Sequence, residues 1–107
     1  MGQTDPTPMT QTLSAHTGLS TTPTEHWFET RQSHMYVPIS ISITAGSATL
    51  VIEGRNTPND AAVVLTTVSA TDAQLVQRMN QMRVRYTSAS GATVQVSSGL
   101  PCIDTGA

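Results

Sequence analysis

The chain contains no lysine; its five basic residues are all arginine. Only 11% of the residues are charged, against roughly 25% in ordinary soluble domains. The formal net charge is −2. Such a chain offers no basic stripe to neutralise phosphates, so no nucleic-acid partner is expected. Sparse charge also separates it from disordered polyelectrolytes, which repulsion holds open. Aromatics are few: one Trp, one Phe and two Tyr. Glu25, Glu29, Glu53 and Asp72 are the carboxylates from which a glycosidase pair would be drawn, but a sugar-cleaving site also wants a stacking ring beside its acids.

Cysteine is nearly absent too. Cys102 is alone, which excludes an internal disulfide. The N-terminal stretch has neither a basic start nor a continuous apolar run, so no secretory signal is expected there. Together these point to folding in a reducing cytoplasm. No apolar run approaches membrane-spanning length, and no membrane association is expected.

The signatures of chemistry are missing as well. There is no Gly-x-Ser-x-Gly elbow and no glycine-rich phosphate loop before a helix. Cys102 follows Pro101 in a tail, without the cation or helix terminus that activates a thiol. His16, His26 and His34 match no standard zinc spacing. The expectation is a non-enzymatic protein with no catalytic residue, no metal and no cofactor.

What the sequence does have is Thr, Ser, Val, Ile and Ala in short alternating segments, within a length that suits one domain. Residues 1–24 form a polar block whose apolar members are Met9, Leu13, Ala15 and Leu19. Alone it cannot bury enough surface to offset its ordering entropy. Two readings stay open: a tail, or an extended arm that orders on a neighbouring subunit through Leu13 and Leu19. Residues 25–107 form the globular part. At its entrance Trp27 and Phe28 are adjacent, so in a strand they face opposite ways. Either both are covered within the chain or one anchors an interface.

Val37, Ile39, Ile41 and Ile43 alternate with polar residues and Pro38, which marks a strand start or an edge. Ala45-Gly46 reads as a hairpin turn, and Ala48, Leu50 and Ile52 are the next inward set. Thr49, Val51 and Glu53 face out. Asn56 to Asp60 is turn chemistry. Ala61 to Val68 is apolar on both faces and suits a central strand. Residues 69–82 read as loop plus short strand, with a helix carrying Leu75, Met79 and Met82 as the alternative. Met82, Val84 and Tyr86 face in, Ser90-Gly91 is a second turn, and Ala92, Val94 and Val96 complete the inward set. Leu100 and Ile103 are the apolar residues of the tail. Arg83 and Arg85 lie on one outward face. They either pair across strands with a residue such as Glu53 or reach another subunit through bidentate bonds. Strands at this spacing give an all-β fold, an antiparallel β-sandwich or jelly-roll-like domain with an extended N-terminal arm.

The segments ATLVIEGRN, AAVVLTTVSATDA and MRVRYTSASGATVQVSSG, within residues 47–99, resemble small virion proteins of tailed bacteriophages. The resemblance implies a capsid decoration (cement) protein. Its partners would be the major capsid protein and copies of itself, with a trimer favoured, on the virion surface after synthesis in the host cytoplasm. Where many such modules carry a Trp after the "EGRN" turn, this chain has Ala61-Ala62, a departure that bears against carbohydrate binding. The alternatives are a tail or neck structural protein, or a β module binding a carbohydrate or host receptor through Trp27 or Tyr36. The interface candidates are Leu13, Leu19, Trp27, Phe28, Arg83 and Arg85.

Overall fold

The structure, a computed structural model, describes residues 11–30 and 35–106. It is all-β, with seven strands: β1 (Gln11–Leu19), β2 (Phe28–Thr30), β3 (Tyr36–Arg55), β4 (Val63–Val68), β5 (Asp72–Gln77), β6 (Gln81–Ser98) and β7 (Cys102–Asp104). All of them pair antiparallel. Residues 69–82 hold a loop and the short strand β5, with no helix.

The frame is one long ribbon. Strands β3 and β6 run side by side from Ile39↔Ser98 to Arg55↔Gln81. The turns expected at Ala45-Gly46 and Ser90-Gly91 are therefore not hairpins. Gly46 and Gly91 do have positive φ, 63° and 58°, but each lies within its strand, where the β3–β6 register shifts. A G1-type bulge and a two-residue hairpin both use a left-handed glycine, and at Gly46 either would carry the inward set from odd positions (Ile41) to even ones (Ala48). The local pattern is the same for the two, and the distant partner strand decides.

The inward residues on both sides of this glycine pair belong to a single core. Val37, Ile39 and Ile41 share it with Leu50 and Ile52, and Val94 and Val96 share it with Met82, Val84 and Tyr86. The ribbon thus folds over at Gly46 and Gly91, and its halves supply the two layers of a sandwich. One layer runs β5, the first half of β3, the second half of β6, then β1; the other runs β4, the rest of β3, the rest of β6, then β2 and β7.

Several expectations are corrected. Residues 11–19 are not a separate arm: they form β1, hydrogen-bonded to β6 from Gln11↔Ser98 to Leu19↔Ala92. Leu13 and Leu19 enter the chain's own core, which repays the ordering cost that the polar block could not meet by itself. Residues 1–10 lie outside the described residues. The run ending at Val68 is an edge strand rather than a central one, and Val63 and Val64 are about half exposed, at 50% and 48%. Val51 and Glu53 do leave the core face, yet both are buried, because the segment around Trp27 covers that side. In the tail Leu100 packs on the core, whereas Ile103 on β7 is exposed.

Candidate functional site

The covered outer face brings together most of the notable side chains. Segment 23–25 lies beside β6: Tyr86 N donates to Pro23 O, Glu25 N donates to Val84 O, and Thr24 bridges to Arg85. The chain then delivers Trp27 onto the sheet, where Thr105 fixes its carbonyl through both N–H and hydroxyl. Phe28 points the other way into the core, as adjacent strand residues must. Both aromatics are covered within the chain.

Over the Trp27 ring lie two guanidinium groups, Arg55 at 4.1 Å and Arg83 at 4.3 Å from its centroid. Arg83 faces Glu53 across the β3–β6 pair. Its Nε donates to Glu53 Oε1 at 2.8 Å, while Arg85 donates to Oε2 from Nε at 3.0 Å and from Nη2 at 2.9 Å. Glu53 is only 4% exposed, so both of its oxygens are satisfied by cations, the condition under which a buried carboxylate is tolerated. Arg55 is held by Gln81 Oε1 and the Pro58 carbonyl. Two arginines on Glu53 and a third over Trp27 outnumber the one carboxylate, and each has donors bonded within the chain. The cluster is a brace, with cation–π contacts closing the Trp27 side.

A second polar cluster joins β1 to β6. Tyr86 Oη lies 2.7 Å from Ser14 Oγ, Ser14 donates to Glu25 Oε2 at 2.6 Å, and His16 Nε2 lies 2.6 Å from the same oxygen. The His16 and Tyr86 rings meet edge to face. Burial pushes the Tyr86 hydroxyl above its ordinary value, with Ser14 opposing and the Glu25 charge adding to the rise. Ser14 and His16 both bond to Glu25 Oε2 rather than to each other, so the serine hydroxyl is directed to the carboxylate and not to the imidazole. Nothing in the spacing of these four residues marked them in the sequence; they meet because β1 pairs with β6.

Cys102 is buried against Ser98 and the Leu100 carbonyl, and burial raises its thiol pKa, with the Ser98 hydrogen bond opposing. A raised pKa keeps it a thiol, not the reactive thiolate. Among the described residues no three of His, Cys, Asp or Glu stand together to hold a metal ion; His34, one of the candidate histidines, lies outside them. A depression of about 300 Å³ is lined by hydroxyl and amide side chains, including Thr17, Ser42, Thr93 and Gln95, with His16 as its one ring. Among the described residues no helix is long and apolar enough to cross a membrane.

The six interface candidates are thus engaged inside their own chain. Leu13, Leu19 and Phe28 are core, Trp27 lies under arginines, and Arg83 and Arg85 hold Glu53. The exposed large apolar residues are Met35, Tyr36, Val63, Val64, Leu75 and Ile103. No protein-family model matches the chain, and comparisons with curated proteins and with solved structures returned no match.

Proposed function

We propose that the chain is a non-enzymatic structural protein of a phage particle, a capsid decoration subunit that binds and stabilises the head shell. The observation that carries this reading is the uncharged edge strand β4, whose Val63 and Val64 stay half exposed on a domain with an otherwise well-filled core. Apolar side chains left on an edge are suited to burial against another protein surface. The major capsid protein is the partner proposed for this edge, and binding would stabilise both by mass action. Copies of the chain itself are the second partner. The resemblance over residues 47–99 supplies the virion setting, with synthesis in the host cytoplasm.

Labelling the chain on intact particles tests this directly. Label spread over the head supports a decoration subunit, and label confined to tail or neck transfers the same contacts to the alternative structural role. A carbohydrate or host-receptor module remains the reading from another class. Its aromatic platform would be Tyr36, which is 49% exposed, since Trp27 is covered. Glycan titration that shifts the Tyr36 resonances would favour it; unchanged resonances would remove its support.

A further inference from the structure

Among the described residues the sheet ends at β1, β4, β5 and β7, with no further strand paired beyond them. Three of them carry features that discourage pairing with another chain. β1 has two register irregularities, β4 has one opposite Ile52/Glu53, and β7 has three residues. Bulges and short length are the usual protection of an edge. β5 has neither: it pairs with β3 in unbroken register from Tyr36↔Gln77 to Ile41↔Asp72.

The direction of the free backbone groups follows from that register. Arg78 N donates to Met35 O, so Arg78, Val76, Gln74 and Asp72 are the residues that exchange hydrogen bonds with β3, because antiparallel bonding alternates along a strand. Ala73, Leu75 and Gln77 turn their N–H and C=O groups away from β3. On the outer face Leu75 stands opposite Pro38, two pairs along from Tyr36, its neighbour on that face. Leu75 is 66% exposed and Tyr36 49%. The strand begins with Asp72 and is followed directly by Arg78.

We infer that β5 is a self-pairing edge, and that two copies of this chain join through it antiparallel about a two-fold axis at Leu75. The outward-pointing groups fix the register. Ala73 bonds with Gln77 of the second copy, Leu75 with its own equivalent, and Gln77 with Ala73. The same register sets Asp72 opposite Arg78 of the second copy at both ends, so charges match wherever they meet. It also joins the Leu75, Pro38 and Tyr36 patches of both copies into one apolar strip. In the single chain the Asp72 carboxylate accepts from Ala73 N and from the Gln74 amide; on pairing it releases Ala73 N to the neighbouring strand and turns to the arginine. Arg78, which reaches Thr30 and Asn80, meets the carboxylate from its own end. An isologous contact makes dimers or even-numbered assemblies, in place of the trimer that the phage resemblance implies.

The inference gives a specific contact to the self-association in the proposed function, yet its test needs no particle, so either can fail without the other. Sedimentation equilibrium of the purified chain should show a reversible dimer. Leu75→Lys sets like charges across the axis and should weaken it about tenfold or more. Asp72→Arg and Arg78→Asp should each weaken it, and the double variant should restore it, a coupling that independent sites do not give. Oxidation of L75C should link two chains, because its Cα atoms would lie about 5.5 Å apart. A73C alone should not link, being about four residues from its equivalent at ~3.4 Å per residue; mixed with Q77C it should. A chain that stays monomeric at high concentration, a trimer as the sole oligomer, or A73C linking as readily as L75C overturns the inference.

Discussion

A Cβ placed on Gly46 would lie 2.3 Å from the carbonyl oxygen of Gly91. These two residues sit side by side where the β3–β6 ribbon folds over, and each has positive φ. Their roles differ, since a Cβ on Gly91 meets nothing within 4 Å. Gly91→Ala should cost about 1 kcal/mol for the left-handed backbone alone. Gly46→Ala adds a clash with backbone that has no flexible end to move, for a total of about 3 kcal/mol. Urea denaturation of both variants checks the order; equal losses would mean that the glycine pair is not the corner of the ribbon.

Glu53 should matter more than either arginine that holds it. Glu53→Gln leaves Arg83 and Arg85 facing each other over a buried amide and should destabilise by about 3 kcal/mol. Arg85 is 35% exposed at its side chain, so solvent screening reduces its share, and Arg85→Ala should cost about 1 kcal/mol or less. Thermal denaturation of the two variants makes the comparison. Near-equal losses would show that the buried carboxylate is not the centre of the brace.

Truncation should separate the polar N-terminal block into two parts. Removing residues 1–10 deletes none of the contacts described above. Removing residues 1–20 strips β1, with Leu13 and Leu19, from the core, and each leucine cut to alanine should by itself cost about 2–4 kcal/mol. Amide exchange along Ala92 to Ser98 reports the outcome. Full protection in the 1–20 deletion would show that β1 is dispensable to the sheet.

Alkaline pH should unfold the protein progressively. Burial raises the pKa of both Tyr86 and Cys102, so above their ordinary values the unfolded chain gives up protons that the folded chain retains. Stability from these groups is complete below about pH 8.5 for the thiol and about pH 10 for the phenol, the unfolded values. It is lost as pH rises through the higher folded values. Melting temperature against pH should therefore fall above these points. Tyr86→Phe should cost about 1 kcal/mol for the lost Ser14 bond and flatten the upper part of the decline. A melting temperature that rises above pH 10 would contradict the sign.

How much of this was legible beforehand depends on the range of the interaction. The alternation of Ile39 and Ile41 with serines is local, and it gave the strand, its inward face and the all-β class. Gly46 and Gly91 were legible as positive-φ positions, but turn and bulge share that requirement, so the ribbon itself was not. Cross-strand pairing of Glu53 with Arg83 was readable as one option; its burial was not, because Trp27 arrives from a segment far away in sequence. Val63 to Val68 misled because an apolar run looks the same in a buried central strand and in an edge strand with half-exposed valines. The Ser14, His16, Glu25 and Tyr86 cluster depends wholly on β1 pairing with β6, so no spacing announced it.

The measurement that bears most directly on the proposed role is co-sedimentation of the purified chain with empty phage heads assembled without it. The account predicts saturable pelleting, weakened by the double variant Val63→Asp/Val64→Asp while its melting temperature stays within a few degrees of the parent. A chain that remains in the supernatant at every head concentration, or a double variant that binds like the parent, would contradict it.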